Sequence, residues 1–137
     1  MSKIRHSFTT VCLVLSLLAV TAVPLSALVV SNTELISGKP QQLPVEGMVT
    51  MVDIGAKKCI PCKMMAPILT ELALEYEGRA AIAFIDVWQH PDEAKKYGVR
   101  TIPTQIFYDK QGNEYMRHTG FMKKEHIEKI LNKLNVG

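Results

Sequence analysis

The sequence has little excess charge, few cysteines and few aromatic residues, and these shortages exclude several classes of protein. Its 137 residues carry 16 Lys and Arg against 13 Asp and Glu, a formal net charge of +3. Nucleic-acid-binding domains usually present a clustered basic face; none stands out here, so we expect no nucleic-acid partner. With three cysteines the chain is no disulfide-dense scaffold, and its length suffices for one ordinary hydrophobic core.

Charged residues are absent from residues 11–30, which are rich in Val, Leu and Ala. A basic start precedes this apolar run and small residues follow it, which is the layout of a signal peptide. Cleavage after Ala22 or Ala27 would fit. The alternative is an uncleaved anchor, because the run approaches the ~20 residues that span a bilayer. Both readings predict a periplasmic or otherwise extracytoplasmic domain, soluble after cleavage or tethered by residues 1–27.

Because Cys12 lies in this first segment, Cys59 and Cys62 are the only cysteines of the remaining chain. They stand two residues apart in the stretch KKCIPCKMM. A Cys-x-x-Cys pair alone fits a redox couple, a metal site or a small structural disulfide. Exported proteins meet oxidising conditions, so this pair can form a disulfide.

The hydrophobic pattern predicts one domain of alternating strands and helices. Residues 28–47 indicate a lead-in segment with at most a helical turn at residues 34–36, and residues 48–137 indicate the domain. The predicted elements are strands at 48–54 and 81–87, helices at 59–78, 91–98 and about 127–134, and a hairpin of 104–109 and 114–119 with its turn at Gly112. The order β-α-β-α-β-β-α predicts an α/β fold with a central mixed sheet, a parallel strand pair, an edge hairpin and helices on both faces.

The helix that begins at Cys59 has an apolar face and an internal proline. Residues at spacings of three and four form that face: Cys62, Met65, Ala66, Leu69, Leu72, Ala73 and Tyr76. Pro67 removes one amide and should bend the helix rather than end it.

The chemistry of the pair follows from its position at a junction of strand and helix. Free amides and the positive end of the helix dipole there stabilise a thiolate over a thiol. Lys57, Lys58 and Lys63 add positive charge with the same effect. We therefore expect Cys59 to be the exposed attacking thiolate. Cys62, one turn further on and facing inward, would resolve the mixed disulfide.

Metal binding is an alternative for this pair, because Met64 follows it and thiolates with a thioether suit Cu(I). Met65 belongs to the apolar helical face, where methionine is more often core filler than ligand. The four histidines show no spacing to the cysteines, so we expect no metal. A purely structural disulfide would close a small loop and stabilise the fold little.

The chain contains the stretches VDIGAKKCIPCKMMAPILTELALEY, YGVRTIPTQIFYDKQG and HTGFMKKEHI. With the cysteine pair, these stretches resemble the thioredoxin family over residues 48–134. The resemblance implies a thioredoxin fold whose N-terminal strand and helix are shortened. It implies a cis bond at Pro103 and a substrate that pairs with the backbone of Ile102. The implied substrate-binding residues are Lys58, Ile60, Pro61, Ile102, Pro103, Thr104 and Gly120.

The resemblance also assigns a role to Asp53. Thioredoxins place a buried carboxylate here that takes the proton of the resolving thiol, so the catalytic residues would be Cys59, Cys62 and Asp53. The alternative is an aspartate that caps the neighbouring loop. Phe84 stands where the family often has a lysine, so desolvation should raise the pKa of Asp53 by ~2 units or more. Lys58 replaces the usual Trp, which removes aromatic surface from the rim of the site.

We therefore expect an exported thiol–disulfide oxidoreductase that reduces protein disulfides through the Cys59–Cys62 couple, with no other cofactor. Pro61, without a histidine between the cysteines, resembles the reducing members of the family. The expected partners are disulfide-containing proteins as substrates and a membrane thiol-transfer protein as electron donor, and the protein should be a monomer. Copper binding or delivery, and disulfide oxidation or isomerisation, are the alternative functions.

Overall fold

The computed structural model describes residues 31–136, so the predicted signal peptide and Cys12 lie outside the described residues. The elements in chain order are α1 (Asn32–Leu35), β1 (Val49–Gly55), α2 (Ile60–Glu75), β2 (Ala80–Asp86), α3 (Pro91–Lys96), β3 (Thr104–Tyr108), β4 (Glu114–Thr119) and α4 (Lys124–Lys133). The predicted order from β1 to α4 is confirmed. Within this part of the chain, no helix has both the length and the apolar character needed to cross a membrane.

The four strands form one sheet in the order β2-β1-β3-β4. β1 runs parallel to β2 and antiparallel to β3, and β3 and β4 form a hairpin at one edge. This is the mixed sheet that the order of elements predicts. All residues of β1 and β2 are buried, as expected for strands that are covered on both faces.

Helices cover both faces of the sheet. On one face Val49 and Met51 of β1 pack with the buried side chains of α2 and α4. On the other face Val52 and Ile54 pack with residues of α1 and α3. Because side chains alternate along a strand, Asp53 projects from the same face as Met51, toward α2.

α2 has the predicted apolar face, with one exception. Its buried residues are Cys62, Met65, Leu69, Leu72 and Ala73, and Tyr76 at its C-terminal end is also buried. Ala66, which the spacing places on this face, is exposed, because it lies at the margin of the face and lines a groove of about 210 Å³ beside Cys62. Pro67 lies within α2 without ending it, since proline removes only one helical amide and the turns around it stay packed on the sheet.

The segment before β1 covers the free edge of β2. α1 begins two residues before the expected turn because Ser31 caps it by accepting a hydrogen bond from the Thr33 N–H. Asn32 is buried, and its Nδ2 donates to the Ala80 carbonyl at 3.0 Å while its Oδ1 accepts from the Ile82 N–H at 3.1 Å. One side-chain amide thus pairs with β2 as a neighbouring strand would. The sequence pattern of this segment did not predict that contact.

We predict that Asn32→Ala destabilises the domain by about 2 kcal/mol, because it leaves buried backbone groups without hydrogen-bond partners. The Ala73 carbonyl also loses the 3.1 Å bond that it accepts from Asn32 Nδ2. Urea unfolding of the two proteins measures the difference. Thr33→Ala, at an exposed position of the same helix, is the matched control and should change stability little. Equal stabilities of the Asn32→Ala variant and the wild type would contradict the edge-covering role.

Candidate active site

Cys59 and Cys62 lie at the end of the sheet where β1 leads into α2. Cys59 is the residue that immediately precedes α2, its backbone is extended, and Pro61 stands in the first turn. The two cysteines form a disulfide with their Cα atoms 5.2 Å apart. The change from extended to helical backbone at Cys59 brings two residues of one helical turn within disulfide range.

The disulfide is nearly buried. The exposed fraction is 9% for Cys59 and 4% for Cys62. The prediction that Cys59 is exposed is therefore wrong for the disulfide form, because both cysteines pack against Ala56 and Ile102. Cys59 nevertheless remains the more accessible of the two, as the predicted division of roles requires.

The three lysines around the pair make different contacts. Nζ of Lys57 donates to the Ser37 carbonyl at 3.0 Å and so attaches the loop before Cys59 to the N-terminal segment. Lys58 and Lys63 are exposed, and within residues 31–136 neither forms a salt bridge. Their charge and the N-terminus of α2 favour a thiolate once the disulfide is reduced.

Asp86, at the end of β2, holds the same loop. Its Oδ2 accepts from the Lys57 N–H at 3.1 Å, and its Oδ1 accepts from the N–H groups of Trp88 and Gln89 at 3.0 and 3.2 Å. Burial alone would raise the pKa of Asp86, but these hydrogen bonds outweigh burial and lower it. Sequence reasoning missed this residue, because an aspartate after an apolar strand does not reveal that one of its partners is the amide of another loop.

The cis-proline segment lies against the cysteine pair. The predicted cis bond between Ile102 and Pro103 is confirmed, and Ile102 packs on the disulfide. The Gly120 N–H donates to the Pro103 carbonyl at 2.8 Å. Thr104 is buried and its hydroxyl donates to the Thr101 carbonyl at 2.7 Å, so this side chain holds the segment and presents no free group to a substrate.

Charged and aromatic side chains are exposed at the end of the sheet that carries the cysteines. Lys58, Ile60 and Pro61 are exposed around the disulfide. Trp88, which is 61% exposed, follows the end of β2, and Phe121, which is 37% exposed, follows β4. Both therefore lie at the end of the sheet that carries the cysteines. That Lys58 removes aromatic surface from the immediate rim of the cysteine pair stays a prediction.

Asp53 is fully buried on the α2 side of β1. The strand register places Phe84 of β2 and Gln105 of β3 directly beside it. Gln105 Nε2 donates to Asp53 Oδ1 at 2.7 Å, and Oδ2 has no hydrogen-bond partner among residues 31–136. The alternative of a loop-capping aspartate is wrong, since no backbone N–H of the described chain bonds to either carboxylate oxygen.

Burial raises the pKa of Asp53 from 3.8 to about 7, and the hydrogen bond from Gln105 opposes this rise. The predicted upward shift is thus confirmed. Phe84 contributes to it by filling the neighbouring position without supplying a compensating charge. A carboxyl group that titrates near neutral pH is suited to accept a proton and return it.

Gly55 keeps the space between Asp53 and Cys62 open. A Cβ at this position would lie 3.3 Å from Cys62 Sγ, 3.4 Å from Asp53 Oδ2 and 3.1 Å from a ring carbon of Phe84. The unpaired carboxylate oxygen and the inner sulfur therefore line one small space. A larger residue at position 55 would have to displace one of them.

Residues 31–136 offer few side chains that could bind a metal ion. Among residues 31–136, no group of three or more His, Cys, Asp or Glu side chains could hold a metal ion. Met64 is 53% exposed and points away from the core, whereas Met65 is fully buried. Met65 packs in the core between α2 and the sheet, as the helical spacing predicts.

Comparisons with known proteins agree with this geometry. The family model named Thioredoxin matches residues 41–133. A thioredoxin of Staphylococcus aureus is 46% identical over 89 residues, which cover 65% of this chain and 85% of that protein. The solved structure of a chloroplastic thioredoxin z aligns with a TM-score of 0.59 at 28% identity, covering 66% of this chain and 81% of the other. Thioredoxin NaTrxh from Nicotiana alata aligns with a TM-score of 0.57 at 36% identity, covering 64% and 73%.

We predict that Asp53→Asn stabilises the domain by about 4 kcal/mol at pH 8 and changes its stability little at pH 4. Because the pKa of Asp53 is raised in the folded state, the folded protein binds more protons than the unfolded chain between about pH 4 and 7. Stability therefore falls as pH rises through this window and levels off above it. Asparagine keeps an acceptor for Gln105 and removes the buried charge.

Urea unfolding at several pH values measures this difference between Asp53→Asn and the wild type. Asp109→Asn is the control, since Asp109 is an aspartate of an exposed turn whose pKa is lowered by hydrogen bonds from Asn113. Its effect should have the opposite sign. A stability difference for Asp53→Asn that does not change between pH 4 and 8 would show that this carboxyl group titrates normally.

Proposed function

Because this chain belongs to the thioredoxin family and is a thiol–disulfide oxidoreductase, we propose that it reduces disulfide bonds of proteins outside the cytoplasm. The observation that carries the proposal is the arrangement at the end of β1. There a disulfide at a helix N-terminus, a cis-proline segment and a buried carboxylate with a raised pKa meet. Together they supply a nucleophile, a docking backbone and a base.

Reduction begins from the dithiol form. The Cys59 thiolate attacks one sulfur of the substrate disulfide, a Cys59–substrate bond forms, and the other substrate sulfur leaves as a thiolate. Cys62 then loses its proton to Asp53 and attacks Cys59. The Cys59–Cys62 bond forms, the second substrate sulfur leaves, and the substrate is released reduced while the protein holds the disulfide.

The division of labour between the cysteines follows from their surroundings. Cys59 precedes α2 at its dipole end and is the more accessible sulfur. Cys62 is inside the first turn, and its Sγ borders the space that Asp53 Oδ2 also borders. The base is therefore placed for the second thiol rather than the first. An extended segment of the substrate would pair with the backbone of Ile102, beside the disulfide.

Two features of the sequence support reduction rather than oxidation of substrates, and a location outside the cytoplasm. Pro61 and the absence of a histidine between the cysteines favour reduction over oxidation. The apolar segment at residues 11–30 favours export. A reductant in an oxidising compartment needs a source of electrons, and a membrane thiol-transfer protein would supply them by exchange with Cys59.

We expect Cys62→Ser to accumulate mixed disulfides with protein substrates, because the attacking thiolate remains and the resolving thiol is lost. Cys59→Ser should capture none. Non-reducing gel electrophoresis followed by mass spectrometry of the trapped species measures this. The variant without either cysteine is the control for non-covalent binding. Equal trapping by both single variants would contradict the assigned roles. A tight Cu(I) complex that weakens on Met64→Leu, without insulin reduction by the wild type, would favour copper delivery instead.

We expect the reduction potential of the couple to lie nearer the thioredoxin value of about −270 mV than the DsbA value of about −120 mV. Equilibration with glutathione buffers of known ratio, read by thiol alkylation, measures it. Pro61→His is the informative variant, because a histidine there stabilises the Cys59 thiolate and should raise the potential. A wild-type potential above about −180 mV, in the range of disulfide isomerases, would contradict the reductase assignment.

A further inference from the structure

We propose that Gln105 is a positioning residue of the resolution step: its amide binds one oxygen of Asp53 and thereby directs the other oxygen toward Cys62. The inference rests on the proposed function, since it assigns a role within disulfide exchange. Gln105 is not among the site residues predicted from the sequence. Gln105 lies in β3, two residues after Pro103.

Asp53 and Gln105 are directly opposite each other on β1 and β3, and both are fully buried. Nε2 of Gln105 holds Oδ1 at 2.7 Å. While this bond holds Oδ1, Oδ2 faces the space at Gly55 that the Cys62 sulfur also borders.

Asp53 Oδ2 and Gln105 Oε1 are buried side-chain oxygens for which the described chain provides no hydrogen-bond partner. Leaving buried oxygens unpaired costs free energy, and Met51, Phe84 and Phe107 beside them on this face are apolar. An unpaired carboxylate oxygen is a strong acceptor. The arrangement thus keeps Oδ2 available for the proton of Cys62.

A lysine beside Asp53 would hold it ionised, whereas the glutamine amide is neutral and donates to Oδ1 whether or not Oδ2 carries a proton. The titratable groups that face this pair are Cys62 from α2 and His118, which stands opposite Gln105 on β4. From β2 the ring of Phe84 lies beside Asp53, and Asp86, two residues further along, is hydrogen-bonded by the amides of Lys57, Trp88 and Gln89. The buried residues of α4 are apolar.

The resolution step then balances as follows. The Cys62 S–H proton moves to Asp53 Oδ2, and the Cys62 thiolate attacks Cys59 in the mixed disulfide. The Cys59–Cys62 bond forms as the bond between Cys59 and the substrate sulfur breaks. The substrate leaves as a thiolate and takes up a proton from water, and Asp53 later returns its proton to solvent.

Gln105→Met tests this role, because methionine removes the amide and has nearly the same volume as glutamine. In Gln105→Met the hydrogen bond is lost, so the pKa of Asp53 should rise by about 1 unit. Carbon NMR of the Asp53 carboxyl group in the oxidised protein measures this and requires no substrate. Phe107→Leu is the matched control, a core change on the same strand and face that should leave this titration unchanged. An unchanged pKa in Gln105→Met would overturn the proposal.

The kinetic test separates positioning from packing. Reaction of the dithiol protein with a chromogenic aryl disulfide releases one thiol on attack by Cys59 and a second on resolution by Cys62. Gln105→Met should slow only the second phase, by about tenfold at neutral pH, and should have no further effect in an Asp53→Asn background. Equal slowing in both backgrounds would show that Gln105 acts without Asp53 and would overturn the proposal.

Whether Gln105→Met folds is the remaining outcome to be measured. If Gln105→Met fails to fold at pH 8 but folds in the Asp53→Asn background, the amide supports the buried carboxylate as proposed. Failure to fold in both backgrounds would make Gln105 a scaffold residue and would overturn the inference. These outcomes are distinct from failure of the proposed function, since a wild type that reduces no protein disulfide would still show the Asp53 titration.

Discussion

β1 is hydrogen-bonded on both edges and covered on both faces, and its burial along the whole strand positions every part of the site. Its parallel partner β2 brings Phe84 and Asp86 to the same end of the sheet, and its antiparallel partner β3 brings the cis-proline segment there. α2 starts where β1 ends, so the cysteines lie above the last residues of the strand. A central strand cannot shift register by one residue without exchanging its two faces. The distances in the site are therefore fixed by the core.

Asp53 and Asp86 are both buried, but their surroundings shift their pKa values in opposite directions. Asp53 is inside the sheet, where a single amide bonds to it, and desolvation dominates its pKa. Asp86 ends its strand and accepts hydrogen bonds from amides of two loops, which lower its pKa despite burial. One carboxyl group is therefore suited to exchange protons, and the other to remain an ionised anchor for the loop before Cys59. The residue type is the same, and the two groups differ in their depth inside the sheet and in their number of hydrogen-bond donors.

Gly55 and Phe84 form a complementary pair on adjacent strands. The ring of Phe84 approaches the position that a side chain at residue 55 would occupy. The small residue leaves Asp53 and Cys62 facing one space, while the ring excludes water from its side and keeps the carboxyl group desolvated. The N-terminal segment contributes at a distance, because the Lys57 side chain bonds to the Ser37 carbonyl and Gly38 bridges to β2. The loop before the cysteines is thus held from two directions.

The sequence by itself determined the order of the elements, the mixed sheet, the cysteine pair at a helix start, the cis-proline and a buried aspartate with a raised pKa. The order of elements, the sheet and the helix start depend on hydrophobic spacing and local backbone preference, which are readable along the chain. The cis-proline and the buried aspartate were implied by the resemblance to the thioredoxin family. Tertiary structure alone decided which residues meet. The pairing of Gln105 with Asp53, the cover that Asn32 gives to β2 and the near burial of Cys59 all depend on contacts between segments far apart in sequence. A polar side chain does not reveal its partner until strand register and helix packing place one beside it.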